Sequence, residues 1–324
     1  MIGCWSCAQE VSEETCCSVC ENTIHMDCAI KEGGALFCDT CYTSKLTEPK
    51  IPDFELPDYI RRTYIETYRA CPFKFFKQVI EGIEQPPTCY TQVGIDLHDL
   101  FEKGLHDRDF LVENMLDEFE VIWDNKYPPM NLFESEEQKR TMYKRAITSI
   151  STYYNLIDSI PMPFVTEETI FYKVGEGMPD VRFTMDAIIE NEAGNLELLD
   201  WKTGKVLVGQ KHSSDLQAPL YIYGVQEKYG RQVDKFTYYF LNEKKERVFT
   251  RVAHNKYVCL VGKREYHIDL EDMIKEIRRV FSKIMKGQFS VPSDPKGMFF
   301  TCKMCHIKEL GLCRGVEQEA WYQK

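Results

Sequence analysis

The residues best equipped for chemistry lie in Leu196-Glu197-Leu198-Leu199-Asp200-Trp201-Lys202-Thr203-Gly204-Lys205. The leucines predict a buried strand. Side chains alternate along a strand, so Asp200 and Lys202 project from one face while Trp201 points to the other. A carboxylate and an ammonium one pleat apart can share a phosphodiester. The acid holds a cation, and the lysine positions water or stabilises developing charge. The preceding run, Arg182 to Ile189, is apolar around Asp186. An acid in such a strand is costly to bury unless a cation or a hydrogen-bond donor neutralises it. The turn Asn191-Glu192-Ala193-Gly194 separates the two strands, so a hairpin carries both aspartates and the lysine.

A second chemistry belongs to the cysteines. Of 14, eight lie within residues 4–41 and three within 302–313, largely as C-x-x-C pairs. That clustering favours metal thiolates over disulfides. Near the N-terminus the ligands run Cys4, Cys7, Cys17, Cys20, His25, Cys28, Cys38, Cys41. Eight ligands in so short a segment predict a module folded around two Zn²⁺ ions. Cys16 is an alternative to Cys17, though the two-residue spacing to Cys20 favours the latter. The order of four cysteines, a histidine and three cysteines resembles PHD fingers. Cross-bracing of that type would place one zinc on Cys4, Cys7, His25 and Cys28, and the other on Cys17, Cys20, Cys38 and Cys41. Leu36 stands where PHD fingers typically carry Trp, so no methyl-lysine-binding wall is expected. The expected role is protein docking, with ubiquitin-ligase activity as a rival.

The elements that must position these groups follow from the pattern along 324 residues. The expected domains are a finger over 1–43, a proline-bearing linker over 44–58 and a large domain over 59–324. Helical patterning covers 59–83, 108–124 and 134–159. Strands are expected over 164–174, 181–190 and 195–202, then a helix near 215–229. Strands over 234–241 and 246–253 precede a helix over 269–286. This order predicts an α/β (α+β) fold, a mixed sheet flanked by helices. No run is apolar enough to span a membrane, and the N-terminus has no signal-peptide character, so a cytoplasmic protein is expected. The net charge is −11; residues 1–50 hold 3 basic and 8 acidic side chains, a net of −5. Any grip on DNA should therefore be local and salt-sensitive. No phosphate-binding G-x-x-x-x-G-K-[ST] motif occurs.

Asp186 with Asp200-x-Lys202 resembles the active-site hairpin of RecB-like PD-(D/E)xK nucleases, a group that includes AddAB and CRISPR-associated adaptation nucleases. Gly94-Ile95-Asp96-Leu97-His98 is similar to that family's G-x-x-x-H, and Gln217-x-x-x-Tyr221 to its Q-x-x-x-Y. Glu168 lies on the strand before the hairpin, where the family often places an acid. Thr184 departs from the glycine many relatives have. The resemblance covers about residues 59–315. It implies a restriction-endonuclease-like fold that hydrolyses DNA ends or single strands with Mg²⁺ or Mn²⁺. His98, Asp186 and Asp200 would hold the cation, Glu168 and Lys202 would complete the catalytic set, and Gln217 and Tyr221 would contact substrate. Cys71 with Cys302, Cys305 and Cys313 resembles the iron–sulfur staple of AddB and the CRISPR-associated enzymes, although the last spacer is longer than usual. Four thiolates there imply a [4Fe–4S] cluster, with zinc as the alternative. Unwinding would come from a helicase partner, the finger serving as a docking site. The competing reading is a catalytically silent scaffold that only binds DNA or protein.

Overall fold

A computed structural model describes residues 16–18, 24, 28–32, 34–38, 54–107, 109–110, 112–127, 132–205, 216–291, 302 and 305–313. The chain divides into two compact units, Met1–Phe54 and Glu55–Lys324. In the first, β1 (Ile30–Glu32) pairs antiparallel with β2 (Ala35–Phe37). Cys17 and Cys38 are buried with Ile24, Cys28 packs against them, and Cys16 is exposed. The expected ligands Cys4, Cys7, Cys20, His25 and Cys41 lie outside the described residues.

The second unit is built on an eight-stranded mixed sheet. Its strands are β3 (Tyr59–Arg61), β4 (Val165–Tyr172), β5 (Asp180–Glu190), β6 (Leu196–Lys202), β7 (Val233–Phe240), β8 (Lys245–Ala253), β9 (Lys256–Val261) and β10 (Arg264–Asp269). They run in the order β10-β9-β8-β7-β6-β5-β3, with β4 also paired to β5. β4 lies antiparallel along β5 from Val181 to Ile188. The opposite edge of β5 is therefore shared. β3 takes Asp180–Arg182 in parallel, and β6 takes Ala187–Glu190 antiparallel.

The helices are α1 (Arg62–Ala70), α2 (Pro72–Phe75, continued by a π turn over Phe76–Ile80), α3 (Cys89–His106), α4 (Val112–Lys126), α5 (Glu136–Ile157), α6 (Gln217–Tyr229), α7 (Leu270–Met285) and α8 (His306–Glu309). Thr88 and Ser135 accept hydrogen bonds from the first turns of α3 and α5, satisfying amides that have no intrahelical partner. The α3–α5 layer buries Leu97, Leu100, Phe119, Trp123 and Tyr153 against Ala187, Leu199 and Trp201 of the sheet. α6 covers the other face. Gly224 permits its close approach, because a Cβ there would sit 2.5 Å from the Phe183 ring and 2.7 Å from that of Tyr172.

Candidate active site

β6 follows β5 only from Leu196 to Leu199, and beyond that point it continues along β7. The two central strands therefore part beside Asp186 and Asp200. Asp186 bridges the gap by accepting the Trp201 N–H at 2.6 Å. Both carboxylates are deeply buried, at 7% and 3% exposure. Alternation places their neighbour Trp201 in the opposite layer, where it packs edge-on to Tyr153.

Lys202 Nζ lies 2.6 Å from Asp200 Oδ2 and donates to Gln217 Oε1 at 2.8 Å. Gln217 Nε2 donates in turn to Asp200 Oδ1 at 2.5 Å. The first residue of α6 thus ties acid and lysine into one closed set, and the Tyr238 ring lies 5.2 Å from the ammonium. Burial pushes the Asp200 carboxyl up, to about 6, against the opposing charge of Lys202. Tyr221, one turn along α6, stacks on Phe183 with ring centres 4.1 Å apart. Burial and the nearby Asp200 raise its hydroxyl pKa.

On the other side of Asp186 stands His98 of α3, with Nδ1 3.5 Å from Asp186 Oδ1. Gly94, one turn earlier, lies against Thr203, the residue after Lys202. Asp96, between them, is 1% exposed and bound by Lys126 and Tyr127, so it holds α3 in place and does not face the site.

The third member of this group is Glu167, which sequence reasoning missed. The ligand atoms of His98, Glu167 and Asp186 all lie within 4.8 Å of one another. Glu168, expected there, is held instead by Lys228 and Tyr229 of α6. The cause is local. Glu167 has a φ of 45°, a left-handed conformation uncommon for a non-glycine residue. Thr166 pairs with Ala187 and Glu168 with Met185, which sets Glu167 opposite Asp186. Across this residue the alternation of β4 reverses. Thr166 Oγ1 meets His106 of α3 at 2.8 Å, whereas Glu168, two residues on, reaches α6. Regular alternation would have put both on one face.

The electrostatics are those of a crowded acidic site. Burial opposes charge on His98, but Asp186, and beyond it Asp200, outweigh burial and raise its pKa to about 9. Burial and then repulsion from Asp186 push Glu167 up to about 8. Carboxylate oxygens with one imidazole nitrogen suit a hard divalent cation such as Mg²⁺ or Mn²⁺.

Cys71, Cys302, Cys305 and Cys313 lie near enough to influence one another's ionisation. Burial raises the Cys71 thiol pKa, and its neighbours Cys305 and Cys313 raise it further. Cys302 is raised by burial and by the same two thiols. Cys71 caps α2, accepting the Lys74 N–H at 3.4 Å, and Cys305 precedes α8. Cys89 and Cys259 are buried separately.

Fold and site together present an acid–lysine centre, with carboxylates and an imidazole that could hold a cation, at a split in a helix-flanked mixed sheet. The chain belongs to the PD-(D/E)XK nuclease superfamily, whose model matches residues 63–313. Members of that superfamily are metal-dependent nucleases, so this domain implies nucleic-acid binding and phosphodiester chemistry. The crystal structure of SSO0001 matches at 15% identity with a TM-score of 0.29, over 69% of this chain and 96% of that one. No curated protein matches the chain. No helix among the described residues is long and apolar enough to cross a membrane.

Proposed function

We propose that the protein is a Mg²⁺- or Mn²⁺-dependent deoxyribonuclease of the RecB-like type, acting on DNA ends or single strands. The observation that carries this reading is the meeting of His98, Glu167 and Asp186 within 4.8 Å, beside the Asp200–Lys202–Gln217 set. A bound divalent cation would neutralise the scissile phosphate and make water a stronger nucleophile. His98, Asp186, Asp200 and Glu167 are the residues that would hold it. Lys202 keeps its ammonium beside the reacting phosphate because Asp200 and Gln217 restrict its rotamers, and its charge stabilises the oxygen that becomes more negative. Gln217 and Tyr221 are the α6 residues assigned to substrate contact, on the resemblance of Gln217-x-x-x-Tyr221 to the family motif. Glu168 serves the site indirectly, as an anchor between β4 and α6.

Cys71, Cys302, Cys305 and Cys313 are assigned to a [4Fe–4S] cluster, with zinc as the alternative. Either would tie the end of the domain to its first helices. The first unit is assigned two Zn²⁺ ions and a protein-docking role, a helicase being the partner that would supply unwound DNA. The silent-scaffold reading is disfavoured by the paired Asp200 and Lys202, since a disused site gains nothing from keeping this buried charge.

The test is cleavage of labelled single- and double-stranded DNA by the purified full chain with Mn²⁺, Mg²⁺ or EDTA. Lys202→Ala should lose on the order of 10²–10³ in rate while folding and Mn²⁺ binding persist. Wild-type cleavage by Lys202→Ala, or cleavage indifferent to EDTA, would overturn the assignment.

A further inference from the structure

Beside the site, one face of β3, β4 and β5 carries an unusual set of side chains. Arg182 is the cross-strand partner of Phe171 on β4 and of Arg61 on β3. Tyr59 precedes Arg61 by two residues, so all four share a face. The Arg182 guanidinium lies 5.0 Å from the Tyr59 ring centre and 5.9 Å from that of Phe171, and Arg61 lies 5.6 Å from Tyr59. Both arginines donate to the Tyr59 hydroxyl at 3.2 Å. Arg61 most strongly, and Arg182 after it, lower the pKa of that hydroxyl. Among the described residues neither guanidinium has a carboxylate partner, in a chain whose net charge is −11. Phe171 is 51% exposed and meets Tyr59 edge-on at 6.0 Å.

This cluster is continuous with the metal group. The next pair along the same face is Thr169 and Thr184, whose hydroxyls lie 3.1 Å apart, and after it come Glu167 and Asp186. From Arg182 to Asp186 is four residues of strand, about 13 Å. At the rise of stacked bases, that is about four nucleotides. The opposite face of the same stretch is filled by Val181, Phe183 and Met185, all buried, so a strand following β5 would run along the Arg182 side.

We propose that Tyr59, Arg61, Phe171 and Arg182 form a platform for an unpaired polynucleotide strand, which runs along this face into the cation site. A base stacks on Phe171, while the two guanidiniums meet phosphates. An aromatic with an open ring face and arginines lacking acidic partners is the chemistry that holds single strands without reading sequence. Paired bases in a duplex offer no free ring face to Phe171, so the platform selects single-stranded or frayed substrate. This inference rests on the nuclease reading of the site.

The test uses full-length wild type, Phe171→Ala, Arg61→Ala and Arg182→Lys with fluorescent 15-nucleotide strands in EDTA, followed by anisotropy. The probes are oligo-dT, oligo-U, an abasic strand of equal length and a blunt duplex; circular dichroism checks folding. Phe171→Ala should weaken oligo-dT binding about tenfold and leave the abasic strand unchanged. Arg61→Ala should weaken both strands and reduce the salt slope by about 0.7 for one lost phosphate contact, whereas Arg182→Lys, which keeps its charge but loses the planar fork, should weaken both strands with the slope unchanged. Equal binding of oligo-dT by wild type and by folded Phe171→Ala and arginine variants overturns the platform, as does equal preference for the blunt duplex. If the wild type cuts with Mn²⁺ in a Lys202-dependent way while these variants bind normally, only the platform fails. If it neither binds nor cuts, the nuclease reading falls with it.

Discussion

Cation binding should release protons, and the number is set by the two groups whose pKa values lie above neutrality. Without metal, His98 titrates near 9 and Glu167 near 8. Both hold a proton at pH 7, and both must lose it to become ligands. The logarithm of apparent Mn²⁺ affinity should therefore climb with a slope approaching two between about pH 6, above which Asp200 is ionised, and pH 8, then one between 8 and 9, and level off above. From pH 7 the deficit is one unit for Glu167 and two for His98, so affinity should gain up to about a thousandfold by the plateau. Calorimetry in two buffers of different ionisation enthalpy counts the protons directly: close to two per ion at pH 7. Glu167→Gln should cut that count to one and the limiting slope to one. Glu168→Gln, whose carboxylate is occupied by Lys228 and Tyr229, should leave both intact. Affinity independent of pH, with no protons released, would refute the assignment of His98 and Glu167 as ligands.

The same shifts set the pH dependence of the metal-free domain. Folding raises Glu167 from 4.5 to about 8 and His98 from 6.5 to about 9, so the stability each contributes is full at low pH and is lost as pH rises through those values. Metal-free Glu167→Gln should match wild type below pH 4 and exceed it above pH 8 by about 1–2 kcal/mol, allowing for solvent screening; thermal melts with EDTA decide this. Gly224→Ala forces a Cβ into the Phe183 and Tyr172 rings and should cost about 1–3 kcal/mol, read as a lower Tm with slowed cleavage as Gln217 shifts. Deleting residues 1–45 should leave DNA cleavage intact, since every proposed ligand of the cation site lies downstream; loss of cleavage by a folded truncation would give the first unit a catalytic role. Anaerobically purified protein should be brown, with about four irons per chain, and Cys71→Ala should bleach it; a colourless protein carrying zinc would replace the cluster assignment.

The hairpin of Asp186, Asp200 and Lys202 was legible because an acid isolated in an apolar strand, an acid–lysine pair at period two and the flanking motifs occur in order; the acid–lysine pair alone is common and says little. Gln217 and His98 were legible only through the resemblance, since neither has a local pattern of its own. Glu167 was not legible, because reading β4 assumes regular alternation and a single left-handed residue breaks it. Its neighbour Glu168 offers the same carboxylate, so composition could not separate them. The helical pattern assigned from residue 59 begins instead with β3, where pairing to Asp180–Arg182 overrides local preference. The hairpin of β9 and β10 also went unread, although Gly262, with φ of 63°, marks its turn. The helix α3 that carries His98 was missed as an element, although Cys89, Val93, Leu97, Leu100, Phe101 and Leu105 recur at helical spacing.

The shared edge of β5 bears on the order in which the domain assembles. β5 and β6 meet through a short turn, whereas pairing Tyr59 with Asp180 closes a loop of 121 residues. Loop-closure entropy and contact order place such long-range contacts late in folding. The hairpin bearing both aspartates therefore forms early, and the strand carrying Tyr59 and Arg61 docks beside it afterwards. A half-folded chain would already present the acids and Arg182 of β5, yet still lack Tyr59 and Arg61, the half of the proposed platform that β3 supplies. On this topology the proposed platform is completed only when β3 docks on β5.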